Sequence, residues 1–267
     1  MPAYARPTDL IDALGLMSQG YRVLAGGTDL YPGADATLSG NILDITALAT
    51  LQGITHDNGL RIGAATTWTA IAAATLPPAL HALQQAARAV GGRQIQNVGT
   101  IGGNLCNASP AADGVPPLLI LNAEVELTAV DNTRRIPLSH YLTGPRTADL
   151  RPGELLTALH IPSAALQGRS TFLKLGARSH LVISIAMVAL RLTTHAGRIT
   201  GAFAAVGSCS AIAQRLPLVE QALLAGKEIE AAHLAPLTPI DDIRATAAYR
   251  REAARELLCR AARVLSA

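Results

Sequence analysis

Two glycine-rich segments hold the residue types best suited to binding chemistry, Ala25-Gly26-Gly27-Thr28-Asp29-Leu30 and Thr100-Ile101-Gly102-Gly103-Asn104-Leu105. Glycine admits close approach of a ligand to the main chain and tolerates positive φ, and the Thr28 and Thr100 hydroxyls add donors beside the amides. Each segment follows a stretch that reads as a strand, so bare N–H groups are expected at the end of a rigid element. That arrangement suits a diphosphate, and two such segments suggest one large bound cofactor.

The first segment taken alone is equally well explained as a Gly-Gly turn between strands. The second is harder to explain that way. From Gly91 to Asp113 the chain gathers glycines, small residues, side-chain amides and a carboxylate, with little ordinary core content. Neither a G-x-G-x-x-G dinucleotide fingerprint nor a G-K-[ST] phosphate loop is present, so a Rossmann domain and a P-loop nucleotidase are both disfavoured. No G-x-S-x-G elbow supplies a serine nucleophile, and the seven histidines show no H-E-x-x-H or other metal-ligand spacing.

The three cysteines, Cys106, Cys209 and Cys259, lie far apart, form no C-x-x-C pair and cannot all close into disulfides within one chain. They favour a reducing compartment. An iron–sulfur cluster normally takes four thiolates, so this chain does not hold one alone in the usual way. Cys106, inside the second segment, reads as a small packed residue.

The elements that must position these groups alternate between strand and helix. A helix over Leu10–Ser18 leads to strands at Arg22–Ala25 and Asn41–Ile45, and a further strand is expected at Gly59–Ala64. Leu80, Leu83, Ala87 and Val90 recur at helical spacing, and Gly91 and Gly92 end that helix. Pro116 and Pro117 are tolerable only in the first turn of a short buried helix. Alternation from Ala123 to Val130 predicts a strand with Glu124 and Glu126 on its wet face. A polar stretch at Ile161–Gly168 is a candidate boundary, placing one domain at 1–163, with subdomains of about 1–55 and 56–163, and another at 164–267. Two strands, Ser184–Thr193 and Arg198–Val206, meet at a glycine-containing hairpin turn. Two helices finish the chain. The last, about Thr246–Leu265, sets Leu257, Leu258, Ala261, Val264 and Leu265 on one side and Arg250, Arg251, Arg255 and Arg263 largely elsewhere.

Composition is that of a globular protein of 267 residues, 49% hydrophobic and 15% charged. A net charge of +3 and an aromatic share of 3% offer neither a phosphate-attracting field nor stacking platforms for nucleic acid. The longest uncharged apolar run, 181–190, is too short to span a bilayer, and the N-terminus lacks a secretory pattern, so a cytoplasmic protein is expected.

The segment Ala25–Leu30, followed about seventy residues later by the run Arg93–Asp113, resembles the FAD-binding subunit of the molybdenum hydroxylases, the family of xanthine and carbon monoxide dehydrogenases. Phe172–Arg178 also fits, so the resemblance covers nearly the whole chain. It implies an α+β fold: a two-subdomain FAD-binding domain of the vanillyl-alcohol oxidase (PCMH) type, then a smaller C-terminal α+β domain like that of carbon monoxide dehydrogenase flavoproteins.

The same resemblance assigns residues. Leu24, Ala25, Gly26, Gly27, Thr28, Asp29, Leu30 and Tyr31, with Thr100, Ile101, Gly102, Gly103 and Asn104, would wrap the diphosphate and adjacent ribose. Ser109 joins the cofactor contacts, and Asp113 would accept hydrogen bonds from ribityl or ribose hydroxyls. A helix N-cap before Gly114 is the competing reading of Asp113. Lys174 would lie near the flavin, where a cation favours the negative charge of the reduced ring, the alternative being a solvated lysine. Val90 and Leu156 would line the cofactor or simply pack in the core. Val90 also departs from an aromatic that would stack on the cofactor, which puts flavin contact there in question.

Function follows as expectation. This chain would be an electron-transfer subunit, drawing electrons from [2Fe–2S] clusters in a small partner subunit through FAD to NAD or another acceptor. Substrate hydroxylation would occur at molybdopterin in a large partner subunit, the whole forming a dimer of heterotrimers. A self-contained FAD-dependent oxidase or reductase is the alternative, and a non-enzymatic nucleotide-binding module a third.

Overall fold

The computed structural model describes residues 3–34, 38–56, 58–179 and 181–266. The chain opens with β1 (Tyr4–Ala5), α1 (Leu10–Ser18), β2 (Arg22–Leu24) and β3 (Ile42–Asp44), the strands pairing in parallel in the order β1-β3-β2. Asp9 starts α1 by accepting hydrogen bonds from the amides of Ile11 and Asp12, the ordinary role of an N-cap carboxylate. Leu14 of α1 and Leu43 of β3 pack with Leu48 and Leu51 in a small core that also takes in Ala65 and Leu155 of the neighbouring unit.

That unit holds β4 (Ile54–His56), β5 (Gly59–Gly63), α2 (Trp68–Ala73), α3 (His81–Ala89), α4 (Arg93–Val98), α5 (Ile101–Asn107), α6 (Val115–Ile120), β6 (Glu124–Thr128), β7 (Thr133–Pro137), α7 (Leu138–Tyr141), a small hairpin of β8 (Leu142–Gly144) and β9 (Thr147–Ala148), and β10 (Leu155–Pro162). Its antiparallel sheet runs β4-β5-β10-β6-β7. Leu60, Ile62, Val125, Leu127 and Leu159 of the sheet pack in one core with Ile71, Leu83, Leu105 and Leu118 of the helices. Alternation in β6 is as expected, with Val125 and Leu127 inward. Glu126, however, is not simply solvated: its carboxylate takes His160 Nε2 and Thr157 Oγ1 at 2.8 and 2.9 Å and pairs with Arg135 at 3.1 Å.

The second glycine segment departs from its expected form. It is not a loop after a strand: helix α4 precedes it, and Gly102 and Gly103 lie inside helix α5. Glycine is a poor helix former, so propensity points away from this result. Packing overrides it, because the helix approaches strand β5 and its extension so closely that a β-carbon on Gly102 would fall 2.7 Å from Ala64 Cβ.

The C-terminal unit is an antiparallel sheet of β11 (Arg169–Leu175), β12 (Ala186–His195), β13 (Arg198–Gly207) and β14 (Gln214–Arg215), in that order, backed by α8 (Pro217–Leu224) and α9 (Ala247–Ser266). The β12–β13 turn uses Ala196 at φ +48° and Gly197 at φ +74°, the pair of left-handed residues that a tight hairpin requires. Leu258, Ala261 and Leu265 of α9 are buried against the sheet, whereas Val264 is 52% exposed and leaves the predicted apolar side.

Arg250 also departs from its expected place, being only 3% exposed. Its guanidinium donates to the carbonyls of Ile185 (2.6 Å) and Ser208 (3.2 Å) and to Asp242 Oδ1 (2.6 Å). Its two terminal nitrogens are matched in this way, while Nε is buried without a partner among the described residues.

Two further arginines join the C-terminal sheet to α6. Arg191 stacks 3.8 Å above the Phe203 ring and donates through Nε to the Ile120 carbonyl at 3.0 Å, while Arg215 reaches the Leu119 carbonyl at 3.3 Å. The Ile120 carbonyl is one that the helix C-terminus leaves without a backbone donor, whereas the Leu119 carbonyl already accepts from the Asn122 amide at 3.1 Å. Burial lowers the Arg191 pKa to about 10, which still leaves it charged at neutral pH. No helix among the described residues is long and apolar enough to cross a membrane.

Candidate cofactor-binding site

The first glycine segment emerges from β2 and runs along a cleft of about 560 Å³, facing α5. That is within the ~300–1,000 Å³ range of ligand pockets. Its course depends on bare backbone. A β-carbon on Gly26 would collide with the carbonyl of Val98, and Gly27 takes φ +69° with the Tyr31 ring against it.

The amides of Gly26, Gly27, Thr28, Asp29 and Leu30 have no hydrogen-bond acceptor among the described residues, and all five residues line the cleft. None of these residues is buried, and successive free N–H groups form an anion-binding concavity. The donor set therefore fits a diphosphate.

The amides of the second segment are used differently. Ile101 N donates to Thr66 O at 3.0 Å, Gly102 N to Ala64 O at 2.8 Å, Gly103 N to Thr100 Oγ1 at 3.1 Å and Asn104 N to Thr100 O at 3.1 Å. The expectation of bare amides is thus met in the first segment and not in the second. Thr100 is the N-cap of α5, and Gly102 serves helix–strand packing. Gly103 is the more open of the two, its missing β-carbon having only Thr100 Oγ1 within 4 Å, at 2.9 Å.

Ala25 to Leu30, Thr100, Gly102, Gly103, Asn104, Val90 and Leu156 all contribute to the cleft. Leu24 and Tyr31 line an adjoining crevice instead, beside Asp44 and Thr46, on the other side of Gly26. Ile101 is fully buried in the core, and Ser109 Oγ accepts from the Ala111 amide at 3.3 Å in the turn that follows α5.

Asp113 and Lys174 lie beside the cleft wall and not on it. Lys174 Nζ is 2.6 Å from Asp113 Oδ2 and donates to the Ala89 carbonyl at 3.3 Å, next to Val90. Ser184 Oγ donates to Asp113 Oδ1 at 2.7 Å. Asp113 does not cap α6, whose N-cap is Gly114 without a side-chain bond. Burial pushes the Asp113 carboxyl pKa up, and Lys174 and Ser184 oppose that rise.

Several wall residues carried no motif signal in the sequence, among them Met17, Arg22, Trp68 and Glu154. Trp68 touches the wall only at its edge, being 2% exposed. Glu154 is held by Arg134, whose Nε is 2.6 Å from Oε1. Cys106, read as packed, is exposed at the cleft with its Sγ 3.4 Å from Tyr141 Oη. Asn107 also lines the cleft, and its place in the run after the second glycine pair was the available clue.

Comparison with known proteins agrees with this architecture. Residues 1–164 match the family model for the FAD binding domain in molybdopterin dehydrogenase, and residues 171–265 match the CO dehydrogenase flavoprotein C-terminal domain. The chain is 39% identical over 169 residues to the xanthine dehydrogenase FAD-binding subunit of Escherichia coli O157:H7, a match covering 60% of this chain and 57% of that protein. It is 31% identical to the glyceraldehyde dehydrogenase medium chain of Sulfolobus acidocaldarius, over 97% of this chain and 96% of that one. A chain of CO dehydrogenase from Oligotropha carboxidovorans superposes with a TM-score of 0.90 at 28% identity, covering 100% of this chain and 98% of the other. By sequence and fold together, the chain belongs to the FAD-binding domain family of the molybdopterin dehydrogenases and carries the C-terminal domain of CO dehydrogenase flavoproteins.

Proposed function

We propose that this chain holds FAD and serves as the electron-transfer subunit of a molybdenum-dependent hydroxylase or dehydrogenase. The single observation that carries the reading is the run of five amides, Gly26 to Leu30, that line the cleft without an acceptor among the described residues. These amides would hold the diphosphate. Leu24 and Tyr31 support the loop from the adjoining crevice, and Thr100, Gly102, Gly103 and Asn104 close the opposite wall, with Ile101 anchoring α5 in the core. Val90 and Leu156 form apolar wall, and Ser109 fixes the turn leading to Asp113. Asp113 holds Lys174 and keeps a second lone pair on each oxygen for cofactor hydroxyls. Lys174, bonded to the Ala89 carbonyl next to Val90, would supply positive charge behind that part of the wall.

FAD, when bound, accepts single electrons and passes on a pair, and the protein contributes position and electrostatics. The partners are an iron–sulfur small subunit and a molybdopterin large subunit in a dimer of heterotrimers in the cytoplasm, with NAD or another carrier as acceptor. The three widely spaced cysteines leave cluster binding to a partner. Co-purification of the tagged chain from its native host tests this. A flavin spectrum with two partners, one bearing [2Fe–2S] clusters and one molybdopterin, is the expected result. A colourless chain unable to take up FAD overturns the cofactor assignment, and full turnover by the isolated polypeptide favours a self-contained flavoenzyme.

A further inference from the structure

Among the described residues, the segment Ala25–Tyr31 makes one side-chain hydrogen bond: Asn107 Nδ2 donates to Asp29 Oδ1 at 2.8 Å. The two residues are 78 positions apart and both line the cleft. Asn107 is the last residue of α5, and Ala108 follows it as a left-handed C-cap at φ +45°. Arg146, at φ +59° in the β8–β9 turn, donates its amide to Ala108 O at 2.8 Å and its guanidinium to Asn107 Oδ1 and, at 3.4 Å, to Asn107 O. Because an arginine only donates, Asn107 Oδ1 must face Arg146 and its NH₂ must face Asp29. The amide orientation is therefore set from both sides.

We infer that Asn107 is a positioning residue for the cofactor, latching the anion-binding loop to α5 through Asp29 while Arg146 holds its amide in orientation. The inference rests on the FAD reading above. Asp29 is an anion in the very loop that faces a diphosphate, so an unlatched carboxylate would be free to oppose the ligand. Asn107 and Arg146 together engage it with a donor backed by a cation. The five amides then converge in one arrangement before the ligand arrives, which lowers the ordering cost of binding.

The test is FAD titration of the full-length chain by flavin fluorescence, with thermal melting of the same proteins without FAD. Asn107→Asp sets a carboxylate against Asp29 and should raise the Kd for FAD about tenfold, the equivalent of ~1.4 kcal/mol. Adding Asp29→Asn restores a donor–acceptor pair in the reverse sense and should bring the Kd back to about that of the unaltered chain, a rescue that mere loss of packing does not give. Unchanged affinity in Asn107→Asp, or no recovery in the double variant, overturns the latch. If Asn107→Asp melts early, Asn107→Ala decides: weaker FAD binding supports the latch and unchanged binding overturns it. An unaltered chain that binds no FAD overturns the cofactor reading itself.

Discussion

Lys174 Nζ sits 2.6 Å from Asp113 Oδ2, and the two belong to different units, Lys174 to β11 of the C-terminal sheet and Asp113 to the turn before α6. The pair is nearly enclosed, with 13% and 8% of the side chains exposed. Removing one member of such a pair strands the other charge, at a cost of about 3–5 kcal/mol. Lys174→Met and Asp113→Ala are each expected to lose stability on that scale in urea unfolding. Lys174→Met combined with Asp113→Ala should cost clearly less than the sum. Additive losses would show that the two charges do not depend on each other.

The glycines separate into two experimental classes. Gly26→Ala drives a β-carbon into the Val98 carbonyl, so both thermal stability and FAD retention should fall. Gly103→Ala meets only the Thr100 hydroxyl and sits in a helix, where alanine is favoured over glycine by about 0.5–1 kcal/mol. It should lower FAD affinity with little change in the melting temperature of the cofactor-free chain. Equal losses of stability in the two variants would contradict the division.

Thr100 caps α5 through its hydroxyl to the Gly103 amide. Thr100→Ala is expected to cost about 1 kcal/mol, read as a shift in the unfolding midpoint at constant slope. Thr100→Ser should recover most of it.

Acid sensitivity has an identifiable contributor in Asp242. The Arg244 amide holds its carboxyl pKa down to about 2, with burial opposing and the Arg250 guanidinium adding to the depression, against an ordinary value of 3.8. A carboxylate with a lowered folded pKa stabilises above its unfolded value and loses that contribution as pH falls through the folded one. The window is therefore pH 4 down to about 2. Asp242→Asn should flatten the pH dependence of urea unfolding within it and leave an already lowered plateau at neutral pH.

Thiol labelling provides an independent check of the fold. Cys209 is fully buried, and burial pushes its pKa up to about 11. At pH 8 it should resist alkylation in the native protein, and Cys106, whose residue is exposed in the cleft wall although burial pushes its thiol up too, should react faster than Cys209. Rapid labelling of Cys209 without denaturant would show that α9 does not cover the C-terminal sheet as described.

Local chemistry made part of this architecture readable in advance. Helix α1 announces itself through its helical spacing, and the β12–β13 hairpin through the glycine at its turn. Helix α5 is hidden because two adjacent glycines argue against helix, and only the contact with Ala64 reveals why they are there. Arg250 is hidden for a different reason. Helical periodicity assigns charge to solvent, whereas the acceptors that draw this arginine inward come from Ile185, Ser208 and Asp242. At the site, the bare amides of the first glycine loop were legible, because its glycines follow a strand and no regular element takes up their N–H groups. Its fastening to Asn107 was not, since the partners are 78 residues apart and neither is unusual alone.

The free amides of Gly26 to Leu30 carry a consequence for the life of the chain in the cell. A ligand that satisfies them binds the folded form and not the unfolded one, so it adds stability of RT ln(1 + [L]/Kd), about 2.7 kcal/mol at a hundredfold excess over Kd. The newly made chain is then least durable before it is loaded. Scarcity of the ligand lowers abundance by feeding unloaded copies to proteolysis, and the supply of one small molecule sets the number of working subunits as well as their activity.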